Sequence, residues 1–273
     1  MTRHERGYDI RSLQGLTSNT RDRSGKRGDP MGKYFHESTF DSHYDGRFAE
    51  SALPNEERQI HLSHLLRTYL ATMNDLGAET WIMHGSLLGW WWNRKIMPWD
   101  SDIDVQVTEA SLAYLAAYHN MTVHHFAIPA VVGDSTATGP KGSEGRNYLL
   151  EVNPHYENAS PGDILNVIDA RWIDMATGLF IDITALRKDV AAEKAGVPGR
   201  MLCKDRHHYL STDIFPLRES MFEGTPVRVP YAYQELLEEE YGKKALTVTQ
   251  FHGHVFEQEK MMWVPKFGLA VGP

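Results

Sequence analysis

The stretch that decides the fold reads His84-Gly85-Ser86-Leu87-Leu88-Gly89 and then, ten residues after Gly89, Trp99-Asp100-Ser101-Asp102-Ile103-Asp104-Val105. Alternate residues of an extended strand project from one face, so the spacing predicts three clustered carboxylates at Asp100, Asp102 and Asp104. Like charges crowded in this way are usually neutralised by a cation, and ligands that are all oxygen favour Mg²⁺ or Mn²⁺. The stretch therefore predicts a divalent-cation site, which points to phosphate chemistry.

Two other interpretations of the acidic run are less consistent with the sequence. Calcium-binding loops also contain Asp-x-Asp-x-Asp, but they need Gly at the sixth position and Glu at the twelfth. Here the sixth position is Val105 and the twelfth is Ser111. A solvated acidic turn is disfavoured because Ile103, Val105 and Val107 alternate with polar residues, as in a strand with one face in the core.

The residues before the acidic run predict a phosphate-binding turn. Residues 79–84 read as a short apolar strand that runs into Gly85 and Ser86. A glycine lets the backbone approach a ligand closely, and a helix that begins near Ser86 would direct its amide groups at a phosphate. Gly-Ser followed by Asp-x-Asp on a second strand is typical of nucleotidyltransferase-type folds, which usually take a third carboxylate from a later strand. The candidate is Asp182, in the β-rich segment 178–184.

The region from Trp81 to Val107 resembles the signature of the LicD family, which includes the fukutin-related proteins. Within that family the chain is most similar to the fungal mannosylphosphorylation proteins. The further matching motifs are Lys33-Tyr34-Phe35-His36-Glu37, His43-Tyr44-Asp45-x-Arg47-Phe48, the block from Asn166 to Asp174, Ile181-Asp182-Ile183-Thr184, Asp213-Ile214-Phe215-Pro216-Leu217 and Phe222-Glu223-Gly224. The resemblance covers roughly residues 33 to 268. It implies an α+β fold, a nucleotidyltransferase-like mixed β-sheet flanked by helices, with family-specific insertions.

The resemblance also implies an activity. Family members move a phosphate-linked group from a nucleotide-activated donor to a glycan hydroxyl, and for the fungal branch this is mannose-1-phosphate from GDP-mannose, with release of GMP. The alternatives are transfer of phosphocholine or a polyol phosphate from a CDP-linked donor, transfer of the nucleotide half itself, and a non-catalytic role as a regulator of mannosylphosphorylation. The expected partners are the nucleotide-activated donor and the glycan acceptor.

The acidic residues divide into roles under this interpretation. Asp102 and Asp104 are the first choices as ligands of Mg²⁺ or Mn²⁺. Asp182 is either a third ligand or the group that accepts the proton of the attacking hydroxyl. Asp100 lies at the mouth of the expected site and could bind the ion through water. The catalytic set is therefore Asp102, Asp104 and Asp182, with Asp100 added to the metal set.

The donor phosphates are expected to contact Gly85 and Ser86, with Arg94 and Arg171 as counter-charges. Arginine binds phosphate with two parallel hydrogen bonds and is preferred over lysine for this purpose. The consecutive tryptophans 90–92 could stack on a base or sugar, but packing in the core is the favoured interpretation.

Histidine is abundant, with 14 residues, and raises the question of zinc. The adjacent pairs 124–125 and 207–208 stand out, and Cys203 lies four residues before His207. Zinc sites usually combine several Cys and His residues at regular spacings. With one cysteine in the chain, a structural zinc site is disfavoured.

Composition limits the remaining possibilities. The 273 residues, 41% of them hydrophobic, can bury a large core. A net charge of −8 argues against non-specific binding of nucleic acid. The expected organisation is a flexible leader at 1–30, a catalytic domain at 31–268 and a tail at 269–273, with the loop between Gly133 and Gly145 interpreted as a lid over the donor site.

The sequence pattern and the family resemblance give conflicting predictions of the localisation. No segment approaches the roughly 18 to 20 apolar residues of a membrane span, and the polar N-terminus does not resemble a signal peptide. The fungal relatives are usually anchored in the Golgi membrane, so the resemblance implies the Golgi lumen or the secretory pathway. A cytoplasmic protein or a truncated form is the alternative.

Overall fold

The computed structural model describes residues 22–25, 29–127 and 145–266. Most of the predicted leader, the tail at 269–273 and most of the predicted lid between Gly133 and Gly145 lie outside the described residues. The described helices are α1 (Asn55–Leu76), α2 (His84–Asn93), α3 (Glu109–Tyr118), α4 (Val190–Lys194), α5 (Ser211–Ile214) and α6 (Tyr233–Tyr241), and a 3-10 turn follows at Lys243–Leu246.

The strands form three sheets in the described part of the chain. The main sheet holds β1 (Thr80–Ile82), β2 (Asp104–Thr108), β3 (Thr122–Ala127), β4 (Gly145–Val152), β5 (Ala170–Asp174), β6 (Phe180–Lys188), β7 (Arg200–Leu202) and β8 (His208–Leu210). A hairpin is made by β9 (Arg218–Phe222) and β10 (Thr225–Val229). The third sheet comprises β11 (Gln250–Phe251), β12 (His254–Glu257) and β13 (Met262–Pro265).

The main sheet is mixed, with the order β1-β2-β6-β5-β4-β3 and with β7 and β8 added beside β6. The strands β2 and β6 run parallel, whereas the other neighbouring pairs are antiparallel. A parallel pair needs a crossover connection, and here the chain passes through α3, β3, β4 and β5 between the two strands. The predicted α+β class, with a mixed sheet and flanking helices, is confirmed.

The helix α1 covers one face of the sheet, as its apolar spacing predicts. Its buried side chains include Leu62, Leu65 and Tyr69, and the Tyr69 ring makes an edge contact with Trp172 of β5. Alternate residues of β4, β5 and β6 face the other way, and their smaller cluster includes Ile173. The sheet therefore has a core on both sides, which holds the strands of the site rigidly.

The sequence of residues 163–184 predicts a hairpin in which segments 163–174 and 180–184 are joined by a tight turn at 175–178, and the observed hairpin is shorter. The strands β5 and β6 pair as predicted, and Gly178 in their turn has φ of +76°, with Ala49 and Asp45 packed too closely for a side chain at that position. The segment 163–169, however, is not a strand. The Asn166 side chain forms hydrogen bonds with the backbone of Gly32 and Tyr34. Contacts with a distant segment therefore replace the strand-to-strand hydrogen bonds of the predicted hairpin.

The prediction that Asp100, Asp102 and Asp104 alternate along one strand is wrong, because the backbone of these three residues does not form one continuous strand. The strand β2 begins only at Asp104. Its neighbour β1 ends at Ile82, opposite Val105, because the chain enters α2 at His84. Residues before Asp104 therefore have no partner in β1, and Asp100 instead closes a turn by donating its backbone N–H to the carbonyl of Met97.

Candidate active site

The centre of the candidate site is the parallel pairing of β2 with β6. The register places Asp104 directly opposite Asp182, so residues 78 positions apart in sequence are lateral neighbours in the sheet. Arg171 of β5 is in turn opposite Asp182, and its Nε donates to Asp182 Oδ1 at 2.7 Å. The carboxylate of Asp182 thus has one oxygen held by an arginine.

The other two acids join this pair from the loop before β2. A Cβ atom placed on Gly85 would lie 3.7 Å from Asp100 Oδ2 and 4.0 Å from Asp104 Oδ2, so both carboxylates face that glycine. Asp102 is half exposed, and its Oδ2 lies 3.6 Å from Nδ1 of His43. The structure therefore brings the four acids predicted from the sequence into one region, although three of them do not share a strand.

The electrostatics of this cluster favour a positive ligand. Burial, and then the charge of Asp102, raises the pKa of Asp100 to about 7. Burial and Asp102 likewise raise the pKa of Asp104 to about 7, with further contributions from Asp182 and Asp100. A cation that neutralises these carboxylates would relieve the repulsion. The donor set, carboxylate oxygens alone, fits Mg²⁺ or Mn²⁺.

The start of α2 is fixed to the acidic strand by Ser86. The buried Ser86 hydroxyl accepts the backbone N–H of Asp104 at 3.0 Å, and the N–H of Met83 donates to the carbonyl of Asp104 at 3.1 Å. The positive end of the helix dipole consequently lies beside the carboxylates. Ser86 has a structural task that the sequence did not reveal, since its oxygen holds β2 in place.

The two glycines of α2 provide a test that distinguishes an effect on ion binding from an effect on folding stability. Gly85→Ala adds a methyl group in ordinary contact with the two carboxylates, whereas a Cβ at Gly89 would lie 2.5 Å from the Lys95 carbonyl oxygen. We expect Gly85→Ala to leave the free energy of unfolding unchanged or raise it by about 0.5–1 kcal/mol, but to weaken Mn²⁺ binding about 10-fold.

The matched variant should behave in the opposite way. Gly89→Ala is expected to lower the free energy of unfolding by about 1–3 kcal/mol, because the added methyl overpacks the helix. Urea unfolding and calorimetric titration with Mn²⁺ measure the two effects. Wild-type Mn²⁺ affinity in Gly85→Ala would contradict the assignment of this space to the ion.

The two arginines expected at the donor phosphates lie in different places. Arg171 is buried between the rings of Phe35 and Phe180 and orients Asp182, and its Nη1 has no hydrogen-bond partner among the described residues. Arg94 ends α2, about 15 Å along the helix from its start. Its guanidinium covers the Trp90 ring and bonds to the Trp90 carbonyl, so the structure does not bring Arg94 to the acids.

A cavity of about 530 Å³ opens beside the acids. Gly85, Asp100, Asp102 and Asp104 lie along one side of it. The remaining wall is mainly aromatic and apolar, and it comprises Leu88, Trp92, Met97, Trp99, Tyr241, Lys244, Ala245, Val248, Phe251 and Trp263. Pockets of this size that are mostly apolar with a few polar groups are typical of small-molecule sites.

Most of the residues that form this cavity wall are not predicted from the sequence. Tyr241 and Lys244 lie at the end of α6 and in the following turn, and Phe251 and Trp263 come from the third sheet. Among the residues that line the described cavity, Lys244 is the basic one. The expectation that the tryptophans pack in the core is confirmed for Trp90, which is buried, whereas Trp92 lines the cavity.

Residues 77–232 match the family model described as LicD/FKTN/FKRP, nucleotidyltransferase domain. The match covers more than half of the chain and includes α2, β2, β5 and β6 with all four acids. The chain belongs to the LicD family. The mixed sheet is accordingly the nucleotidyltransferase-like sheet of a LicD domain, as the resemblance implied, while the cavity wall from Tyr241 to Trp263 lies beyond the matched region.

Two curated relatives of this LicD chain come from Saccharomyces cerevisiae (strain ATCC 204508 / S288c). "Mannosyltransferase regulator 4" is 34% identical over 155 residues, which are 56% of this chain and 12% of that protein. "Mannosyltransferase regulator 14" is 31% identical over 173 residues, which are 59% of this chain and 17% of that protein. The alignments therefore span less than a fifth of either relative.

Among the described residues, no helix combines the length and apolar character needed to cross a bilayer.

Proposed function

We propose that this LicD chain is a metal-dependent phosphotransferase that moves mannose-1-phosphate from GDP-mannose to a glycan hydroxyl and releases GMP. Membership of the family supports the reaction class, and the names of the two yeast relatives support a connection with mannose transfer. The proposed compartment is the secretory pathway. The observation that carries the proposal is the lateral pairing of Asp104 with Asp182 beside an aromatic cavity.

The acids fit a divalent cation by both charge and donor type. Asp102 and Asp104 are proposed as ligands, with Asp100 nearby and Asp182 on the adjacent strand. A bound Mg²⁺ or Mn²⁺ would supply charge neutralisation and polarise a phosphoryl oxygen. Without neutralisation, the same carboxylates would repel the phosphates of any donor.

The reaction that we propose breaks one bond and forms one bond at phosphorus. The acceptor hydroxyl oxygen attacks the phosphorus that carries mannose, and the bond from that phosphorus to the oxygen bridging to GMP breaks. The hydroxyl proton passes to a carboxylate. Asp182 is suited to this because Arg171 holds Oδ1, which leaves Oδ2 to accept the proton or to complete the ligand set.

Donor recognition is assigned to the wall opposite the acids. The rings of Trp92, Trp99 and Phe251 offer faces and edges for a base or sugar. Lys244 supplies positive charge for the diphosphate, which is the role that the sequence analysis gave to Arg94. A cavity of about 530 Å³ falls within the size range of sites for small ligands.

A CDP-linked donor and a regulatory role are the alternatives. A binding screen tests the identity of the donor, and the products of the reaction test the regulatory role. With Mn²⁺ present, GDP-mannose should raise the melting temperature more than CDP-choline or CDP-ribitol does. At a donor concentration of 100 times Kd, the expected stabilisation is about 2.7 kcal/mol. A larger shift of the melting temperature with a CDP-linked compound would identify that compound, and not GDP-mannose, as the preferred donor. No shift with any compound would contradict donor binding.

Two neighbouring lysines give this screen a matched control. Lys244 lines the cavity, whereas Lys243 is largely exposed and lies 3.9 Å from Glu238. Lys244→Ala should reduce the stabilisation by GDP-mannose, and Lys243→Ala should leave it unchanged. Equal behaviour of the two variants would remove Lys244 from the donor site.

A further inference from the structure

A second group of metal-ligand side chains lies at the start of α2, outside the acidic cluster. It consists of His84, Asp205 and His207, whose ligand atoms lie within 4.8 Å of one another. His84 is the first residue of α2, and the other two lie in the turn that joins β7 to β8. The rings of His84 and His207 are 4.5 Å apart between centroids. Donors from two distant segments thus converge on one point.

The environment of His84 leaves one ring nitrogen available to a ligand. Nδ1 lies 2.9 Å and 3.0 Å from the two carboxylate oxygens of Glu240 on α6. Nε2 is shielded from solvent and has no hydrogen-bond partner among the described residues. Metal-binding histidines commonly donate their second ring N–H to a carboxylate, which fixes the tautomer and directs the other nitrogen at the ion. Glu240 stands in that position.

The backbone of His84 adopts a strained conformation, and such conformations cluster at functional sites. Its φ is +52°, a left-handed conformation that is rare for residues other than glycine. The same residue begins α2, next to Gly85, and its ring contacts Glu240 of α6 and His207 of the β7–β8 turn. A local hydrogen bond within α2 does not account for this placement, because the contacts of the ring are with α6 and the turn.

The turn that carries the other two ligands is held firmly. Lys204 is fully buried, and its Nζ lies 2.9 Å from Asp169 Oδ1 and donates to the carbonyl of Asn166 at 2.8 Å. The backbone N–H of His207 donates to Asp205 Oδ1 at 3.2 Å, and the Nδ1 of that histidine lies 3.2 Å from the same oxygen. The two side chains are therefore presented by an ordered segment and not by a free loop.

We infer that His84, Asp205 and His207 form a second metal site, which binds a transition-metal ion of the Zn²⁺ class. Two imidazoles and one carboxylate are a donor set suited to Zn²⁺, in contrast to the oxygen-only set of the acidic cluster. The ion would join the start of α2 to the β7–β8 turn, with Glu240 of α6 behind one ligand. It would thereby fix the position of Gly85, which faces the acids.

A zinc site built from Cys and His residues at regular spacing is disfavoured because the chain has one cysteine. The site inferred here is of another kind. Cys203 is buried and accepts a hydrogen bond from Gln106 at 3.2 Å, and it is not needed for the proposed set. The donors come instead from a histidine and an Asp-x-His pair that are about 120 residues apart in sequence.

The test is calorimetric titration of the chelator-treated full chain with Zn²⁺ in the presence of excess Mg²⁺. One equivalent should bind to the wild-type protein and to the Asp102→Asn/Asp104→Asn double variant. His207→Ala should lose the site, while His208→Ala, at the exposed neighbouring histidine, should bind as the wild type does. Glu240→Gln should bind Zn²⁺ about 10-fold more weakly.

A second readout guards against loss of fold in a variant. Co²⁺ in place of Zn²⁺ should give visible d–d absorption in the wild type and in His208→Ala, and none at one equivalent in His207→Ala, with unchanged far-ultraviolet circular dichroism. If His207→Ala did not fold, the graded effect of Glu240→Gln would decide. The inference is overturned if the wild type binds no Zn²⁺, if Glu240→Gln and His208→Ala bind equally, or if the Asp double variant loses the ion.

Discussion

Replacing Asp104 by asparagine should lower the rate of GMP release by about 10³-fold, the largest catalytic effect expected for a single residue. Asparagine keeps the shape of the side chain and the backbone N–H that Ser86 accepts, but it removes the charge opposite Asp182. A loss of about 4 kcal/mol of transition-state stabilisation corresponds to this factor.

The same variant should have the opposite effect on stability. The pKa of Asp104 is raised to about 7 by burial and by Asp102, so at pH 8 the ionised carboxylate is less favourable in the folded chain than in the unfolded one. In the absence of metal, Asp104→Asn should therefore raise the urea midpoint at pH 8. The gain should shrink as the pH falls below 7, where the carboxyl of the folded wild type takes up its proton, and should disappear near pH 3.8, where the carboxyl of the unfolded chain is protonated as well.

A control separates these effects from a general loss of charge. Asp75→Asn, at an exposed position near the end of α1, should change neither the rate nor the urea midpoint appreciably. Activity of Asp104→Asn within a few-fold of the wild type would show that Asp104 does not belong to the catalytic centre.

Replacing Asp169 by alanine should have the largest effect on stability. Its carboxylate is fully buried, lies 2.9 Å from Lys204 Nζ and 2.9 Å from Arg187 Nη2, and accepts the backbone N–H of Ala185 at 2.8 Å. Removing it leaves two buried cations without their shared anion. Breaking a buried ion pair from one side costs about 3–5 kcal/mol, and we expect a decrease of that size in urea unfolding.

The position of Asp169 makes this a test of the site as well. Lys204 anchors the turn that carries Asp205 and His207, so a folded fraction of Asp169→Ala should also bind Zn²⁺ less tightly. Asp75→Ala is the control and should remain within about 0.5 kcal/mol of the wild type. A change below about 1 kcal/mol in Asp169→Ala would mean that the buried charges are neutralised in another way.

The local elements could be predicted because their signals are local. The apolar spacing of residues 60–73 and 112–119 predicts two helices, the apolar runs at 148–152 and 180–184 predict two strands, and residues 175–178 predict a turn. The structure has α1, α3, β4, β6 and the turn between β5 and β6 at these places. For Asp182, the sequence predicts a third carboxylate on a later strand, but it does not predict the direct pairing with Asp104. Its register depends on a parallel crossover, which no local spacing specifies.

The parts that escaped prediction depend on contacts between distant segments. The backbone of Asp100 and Asp102 follows from where β1 ends. Arg94 is the local exception, since its side chain is held by Trp90, four residues earlier. The cavity wall at Lys244 and Phe251 forms only when α6 and the third sheet pack against α2, the third sheet through the contacts of Phe256 and Trp263 with Trp92. Such contacts bring together residues about 150 positions apart, and sequence spacing does not encode them.

The most direct test of the proposed function is identification of the products. The full chain should be incubated with GDP-mannose, Mn²⁺ and a mannoside acceptor and followed by ³¹P NMR, with the Asp102→Ala/Asp104→Ala double variant as the blank. The account predicts the phosphomonoester resonance of GMP together with a new phosphodiester on the acceptor, both absent from the blank. Formation of GDP without a phosphodiester, or equal GMP release by the double variant, would contradict it.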